Sequence, residues 1–267
     1  MNFIKIINDK YYTSDNLAKY CLNKTKEIIG YENIIEYIEP SAGSGVFLDY
    51  LDKPYLAYDI EPEDNRIIKQ DFLDLNLEYK KGRCIIGNPP YGRTMNLAVQ
   101  FFKKSIILGD YISFILPISQ LNNNYRIFEF DLIYSEDLGE KLYSNIKVHC
   151  CLNIYKRPIN NKLNNRPNYK LKDILIENYD RERNGIKNIN DFDIAICSFG
   201  NIGEVIKKEN TYCQELYIKI RNLEYRDIII DLIKNTNWKK LYTHTKTPKL
   251  QIWQIYKYIK EQIPEIK

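Results

Sequence analysis

The residues best suited to do chemistry in this 267-residue chain stand together at Asn88-Pro89-Pro90-Tyr91. An amino group on an aromatic ring or an amide has a delocalised lone pair and is a poor nucleophile. The side-chain oxygen of Asn88 and the carbonyl oxygen of Pro89 can each accept one of its N–H bonds. Two such acceptors favour a pyramidal nitrogen whose lone pair is aimed at an electrophile such as a methyl donor. The successive prolines fix the backbone so that the carbonyl faces a site rather than a helix. Tyr91 offers a face on which a planar target can stack. A site of this kind works by electrostatic preorganisation, without a strong base.

Upstream, Glu39-Pro40-Ser41-Ala42-Gly43-Ser44-Gly45 forms a small-residue turn. Glycines there let the backbone approach a nucleotide-like ligand with no Cβ in the way. A tight turn without a ligand uses the same residues. Asp59 ends the next apolar run, where a carboxylate can accept from both ribose hydroxyls. Asp71-Phe72 follows the third run. A carboxylate there can accept from an adenine amino group while a ring stacks on its face. Asp also caps turns and Phe also packs in cores, so these positions gain meaning from falling at successive strand ends.

The elements that must hold these residues alternate. Thr13-Ser14-Asp15 reads as a helix start, with apolar Leu17, Tyr20, Cys21 and Ile28 before Gly30 as a stop. Ile34–Ile38, Tyr55–Tyr58, Ile67–Ile68, Cys84–Ile86 and Tyr111–Leu116 read as strands. Phe47, Leu48 and Leu51 predict a short helix, and Asn96–Leu108, closed by Gly109, predicts a longer one. Leu132–Tyr134 and Val148–Tyr155 follow as late strands. The pattern is that of an α/β protein with a mostly parallel, doubly wound sheet, which binds ligands beyond the carboxyl ends of its strands.

After Arg157-Pro158 the texture changes. Residues 159–172 read as a polar, basic loop rich in Asn160, Asn161, Asn164 and Asn165. Strands over Asp191–Phe199 and Leu216–Ile220 and helices around Arg226–Lys234 and Lys249–Ile259 make a small α+β appendage. Two regions result, 1–158 and 159–267. Residues 1–159 carry 19 basic and 21 acidic side chains, and residues 160–267 carry 20 and 14. The positive excess therefore sits in the second region, where it can hold a polyanion or simply form a solvated surface.

Apolar residues make up 44% of the chain, enough to bury a core. Heavy use of Ile, Lys, Asn and Tyr reads as bias from an AT-rich genome, so the 23 tyrosines carry no functional message. Cys21, Cys84, Cys150, Cys151, Cys197 and Cys213 lack paired CxxC spacing and read as reduced thiols, several of them in the core. His149 and His244 have no metal-ligand company, and no metal is expected. With neither a signal peptide nor an apolar run of membrane-spanning length, the expected location is the cytoplasm, away from membranes.

Taken together, these motifs resemble the amino-methyltransferases of DNA, in particular the gamma arrangement of N6-adenine enzymes from restriction-modification systems. Tyr12-Thr13 resembles that family's N-terminal motif. Ile38–Phe47, Tyr58–Pro62, Gln70–Leu73 and Cys84–Gly92 resemble its motifs I to IV in order. Cys151–Arg157 resembles the late strand that carries an aromatic for the extruded base. The likeness spans roughly residues 10–158 and is specific at Asn88-Pro89-Pro90-Tyr91. Two departures stand out: only Ile60–Arg66 separates the second and third strands, and the C-terminal region is short for a recognition domain.

The resemblance implies a Rossmann-like methyltransferase sheet and S-adenosylmethionine as cofactor. It implies cofactor contacts from Thr13, Glu39, Pro40, Ser41, Ala42, Gly43, Gly45, Asp59, Ile60, Asp71, Phe72 and Asn88. An extruded adenine would lie between Tyr91 and Tyr155, its N6 held by Asn88 and Pro89. DNA would run over the basic region, with Lys156, Arg157, Asn160 and Asn161 in contact, and a separate restriction endonuclease is a conceivable partner. Methylation of RNA bases or of a protein glutamine would use the same turn, and a catalytically silent subunit of a complex is the reading outside catalysis.

Overall fold

The computed structural model describes residues 13–143, 146–180, 192–206, 214–242 and 249–267. The chain divides into two compact units, one ending at Pro167 and the other spanning Asn168–Lys267. The division falls nine residues beyond the expected one. Residues past Pro158 stay with the first unit because the Asn164 N–H donates to the Glu129 carbonyl at 2.9 Å and its side chain to Asp131 at 2.8 Å.

The first unit is a seven-stranded sheet. Its strands are β1 (Glu36–Glu39), β2 (Tyr55–Asp59), β3 (Ile68–Lys69), β4 (Arg83–Gly87), β5 (Tyr111–Pro117), β6 (Asp131–Tyr143) and β7 (Ile146–Lys156). They lie in the order β3-β2-β1-β4-β5-β7-β6, with β1 to β5 parallel and β7 antiparallel to both of its neighbours. Helix α1 (Asp15–Ile29) covers one face, packing Leu17, Cys21 and Leu22 with Tyr37, Cys84, Ile86 and Leu152. Helix α2 (Asn96–Leu108) covers the other, packing Ala98, Phe101 and Phe102 with Ile85, Ile112, Phe114 and Tyr155. Strands β1 and β4 are buried along their whole length, as two-sided coverage requires.

No helix joins β2 to β3 across so short a connection. Arg66 holds that connection instead, bonding Asp64 at 2.7 Å and Asp49 at 2.8 Å. The Gln70 N–H donates to the Asp59 carbonyl at 3.0 Å, so Asp71 keeps its place beside the end of β2. Strand β6 is much longer than Leu132–Tyr134. Ser135, Glu136, Asp137 and Gly139 break its apolar alternation, and only pairing with β7, through irregularities at Leu132/Tyr134 and Asp137/Gly139, reveals it as strand.

The amino-terminal end of the sheet is closed by ion pairs. Arg83 meets Glu36 at 2.6 Å and Arg157 meets Asp110 at 3.1 Å. Burial of Glu36 works against its charge, but hydrogen bonds from Lys80 and Arg83 hold its pKa below the ordinary carboxylate value.

The second unit is a three-stranded antiparallel sheet, β8 (Ile174–Asp180), β10 (Gln214–Ile220) and β9 (Ile194–Cys197) in that order. Helices α3 (Arg226–Asn235), α4 (Trp238–Tyr242) and α5 (Ile252–Gln262) accompany it. Its core centres on Trp238, whose indole N–H donates to the Ile233 carbonyl at 3.0 Å. Strand β8 and helix α4 escape the sequence pattern because Glu177, Asn178, Lys239 and Lys240 interrupt their apolar runs. No helix among the described residues is long and apolar enough to cross a membrane.

Candidate functional site

The carboxyl ends of β1, β2, β3 and β4 deliver Glu39, Asp59, Asp71 and Asn88 to one edge of the sheet. Gly43 and Gly45 follow β1 with φ of 51° and 81°, backbone that favours glycine. The turn is pinned across strands. The Gly43 N–H donates to Asp59 Oδ2 at 2.8 Å, the Glu61 N–H to Asp59 Oδ1 at 2.8 Å, and the Ala42 N–H to the Tyr58 carbonyl at 2.9 Å. A carboxylate offers about four acceptor positions, so this pinning orients Asp59 without exhausting it.

Asn88 is oriented at both ends of its amide. Its Nδ2 donates to Thr13 Oγ1 at 3.3 Å, and its Oδ1 accepts from the Tyr91 hydroxyl at 2.9 Å. Ser41 Oγ donates to the Asn88 carbonyl at 3.3 Å, joining the glycine turn to the Asn-Pro-Pro-Tyr turn. Thr13, Ser41, Asn88 and Tyr91 thus come together, while Tyr12 lies outside the described residues.

Three observations bear on a cofactor. Glu39 is 2% exposed and its Oε2 has no hydrogen-bond partner. Burial, with the Asp59 carboxylate adding to it, holds the Glu39 carboxyl well above the ordinary value. A buried carboxyl with one unpartnered oxygen suits a positively charged ligand group. A Cβ built on Gly43 would meet nothing within 4 Å, so the turn faces open space. Ile60, at the end of β2, is 47% exposed and offers an apolar surface at the same edge. Asp71 is exposed and accepts from the Leu73 N–H at 2.8 Å. Pro40 and Ala42 are buried beneath the turn. These residues fit S-adenosylmethionine, which carries a sulfonium, an ammonium and a nucleoside.

The aromatic residues expected at the site are all buried. Phe72 is buried against Phe101, ring centroids 5.3 Å apart. Tyr91 is 7% exposed and packs into the α2-side core, so its ring is covered and its hydroxyl braces Asn88. Tyr155 is fully buried, edge-on to Phe102 at 5.0 Å, with its hydroxyl accepting from Asn153. Strand direction explains that placement. An antiparallel β7 begins at the carboxyl edge of the parallel strands and ends at the far one, where Tyr155 pairs with Ile112 near the start of β5.

The same direction places Lys156, expected to contact nucleic acid, at the opposite end of the sheet from Asn88. Lys156 pairs with Tyr111, the full length of β5, roughly 20 Å, from its carboxyl end. Arg157 is a staple: its guanidinium bonds Asp110 and the carbonyls of Ile106 and Gly109, and lies over the rings of Phe130 and Tyr79. Asn160 and Asn161 are exposed beside it, with Asn160 Oδ1 accepting from the Lys162 N–H in a local turn.

What sequence reasoning missed is Cys150, near the start of β7, with its Sγ 3.6 Å from the Tyr91 hydroxyl. The available signal was direction: the first residues of a reversed last strand lie at the carboxyl edge. Cys21, Cys84, Cys150, Cys151 and Cys197 are buried free thiols, and burial pushes Cys21 up to about 12. Cys213 and His244 lie outside the described residues.

No family model matches the chain, and no curated protein matches it. Among solved structures it is similar to a Pyrococcus horikoshii protein described as a candidate RNA methyltransferase, at 14% identity over 58% of this chain and 90% of that one, TM-score 0.46. It is also similar to the M protein of the type I restriction enzyme EcoKI, at 14% identity over 61% and 47%, TM-score 0.43. A third is the magnesium protoporphyrin IX methyltransferase of Synechocystis PCC 6803, at 9% identity over 57% and 88%, TM-score 0.39. By its own strand order the larger unit is a Rossmann-like mixed α/β sheet, with β7 reversed between β5 and β6.

Proposed function

We propose that the chain transfers the methyl group of S-adenosylmethionine to the N6 amino group of an adenine in DNA, extruded from the stack. The observation that carries this reading is the Asn88 amide, held by Thr13 and Tyr91 and tied to the glycine turn by Ser41. When bound, the cofactor supplies an electrophilic methyl group on a positively charged sulfur. Around it Gly43 and Gly45 admit the backbone closely, Asp59 accepts from ribose hydroxyls, Asp71 and Ile60 meet the adenine, and Glu39 pairs with positive charge.

Asn88 Oδ1 and the Pro89 carbonyl each take one hydrogen of the target amine. A carbonyl oxygen accepts two hydrogen bonds, so the Tyr91 hydroxyl orients Oδ1 without disqualifying it. The acceptors are set before the target arrives, so little reorganisation is needed at the moment of transfer. The +6 balance of residues 160–267 supports a polyanionic substrate. A separate endonuclease as partner belongs to the same proposal.

The test is incubation with labelled cofactor and parallel DNA, RNA and protein substrates, followed by mass analysis of the digests. N6-methyladenine in DNA is expected. A methylated RNA base or glutamine amide would replace the target, and no transfer to any substrate would sink the reading.

A further inference from the structure

Just past the Asn-Pro-Pro-Tyr turn the backbone takes angles that its side chains disfavour. Thr94 has φ of 53° and Met95 of 67°, following Gly92 at 64°. Among the described residues, the other non-glycine positions with positive φ are Asn122 and Asn161, a residue type that tolerates the left-handed region. Threonine is β-branched and fits it poorly. Such geometry persists only where the surroundings impose it.

Two groups of contacts impose it here. On the catalytic side, the Tyr91 carbonyl accepts from the Leu97 N–H at 3.2 Å and the Ala98 N–H at 3.4 Å. Helix α2 has no side-chain cap, so the catalytic turn itself caps it. On the opposite side stands Arg126, from the segment after β5. Its guanidinium donates to the Thr94 carbonyl and, at 2.7 Å, to Asn96 Oδ1. Met95 is buried in the same core as Ala98, Phe101 and Phe102.

We infer that Arg126 is a positioning residue for transfer at Asn88. It holds Thr94 and Met95 left-handed, so that Tyr91, and through its hydroxyl Asn88, keep their place. The inference rests on the reading of Asn88 as the residue that holds the target amine. Without the clasp the segment relaxes toward ordinary φ. The Tyr91 carbonyl is tied to the first turn of α2, so that relaxation shifts Tyr91 and misaligns the acceptors. The glycine turn meets this segment only through the Ser41 contact and is pinned to β2 by its own bonds to Asp59 and Tyr58, so cofactor affinity is largely spared.

The test uses the full chain as wild type, Arg126→Met, Thr94→Gly and the double variant. Each is assayed for methyl transfer to an adenine-containing oligonucleotide, for S-adenosylmethionine affinity by calorimetry, and for hydrogen exchange at the Leu97 and Ala98 amides. Arg126→Met is expected to lower kcat roughly tenfold or more, the scale of bias that strain of this kind represents. Cofactor affinity should stay within about twofold and the two amides should exchange faster. Glycine takes positive φ without strain, so in the Thr94→Gly background the same substitution should cost less than about threefold.

Equal losses in both backgrounds would mean that Arg126 touches the target instead of holding the turn, and would overturn the inference. Unchanged kcat, or cofactor affinity lost in parallel, would overturn it as well. A wild-type chain that methylates nothing sinks the reading of Asn88. Exchange then decides the clasp: unchanged protection in Arg126→Met refutes it, and faster exchange abolished by Thr94→Gly upholds it.

Discussion

Replacing Glu39 with glutamine separates the cofactor reading from a purely structural one. Glu39 is 2% exposed, its Oε2 lacks a partner, and burial followed by the Asp59 charge raises its pKa well above the ordinary value. The unliganded folded protein therefore keeps a proton that the unfolded chain loses above the usual carboxylate pKa of about 4.3. Folded binds more protons than unfolded, so stability is full at low pH and falls as pH rises toward the folded value. Glutamine has no proton to lose, and the unliganded Glu39→Gln variant should lose less stability than wild type on going upward from about pH 5.

Cofactor binding should move the other way. A positive ligand group beside Glu39 restores its charge, so binding releases a proton and forms a charge-assisted hydrogen bond. Such a bond is worth about 1.5–3 kcal/mol, or about 10- to 150-fold in affinity. Calorimetry of S-adenosylmethionine binding in phosphate and in Tris, which differ in ionisation enthalpy, measures both quantities. Wild type should show a buffer-dependent enthalpy, and Glu39→Gln should bind more weakly by that factor with no buffer dependence. Equal affinities, or no proton release from wild type, would refute the assignment of Glu39 to the cofactor.

Asn88→Ala should keep cofactor affinity and lower single-turnover methyl transfer on the order of 10²-fold, as removal of one preorganised group does elsewhere; near-normal turnover would remove Asn88 from the mechanism. Gly43→Asp adds a charge beside Asp59 at a φ of 51° and should abolish calorimetric cofactor binding. Tyr155→Ala should cost about 3–5 kcal/mol in urea unfolding, the scale for a large buried aromatic. A loss well under 1 kcal/mol would contradict its place in the core. Lys156→Glu combined with Asn160→Ala and Asn161→Ala should leave the KM for duplex within about twofold, and a tenfold rise would return DNA to that end of the sheet.

Much of the architecture was legible because its determinants are local. Helix α2 was delimited by its apolar spacing and Gly109, helix α1 by Ser14 and Gly30, and β2 and β5 by unbroken apolar runs. The alternation of these elements implied a parallel sheet. A parallel sheet sends its carboxyl ends to one edge, and that alone assembled Glu39, Gly43, Asp59, Asp71 and Asn88. The Asn-Pro-Pro-Tyr turn was visible because proline restricts backbone wherever it stands.

Tertiary structure decided what depends on partners distant in the chain. Whether Tyr155 faces a base or the core turns on the direction of β7, which only its pairing with β5 and β6 reveals. Arg157 reads as a free cation in the sequence, yet Asp110 and two carbonyls claim it across 47 to 51 residues. The covered ring of Tyr91, its contact with Cys150, and the left-handed Thr94 and Met95 held by Arg126 leave no periodic or compositional trace. Each is a contact between residues on different strands or loops. Residue types limit what such a contact can be, and packing determines which one forms.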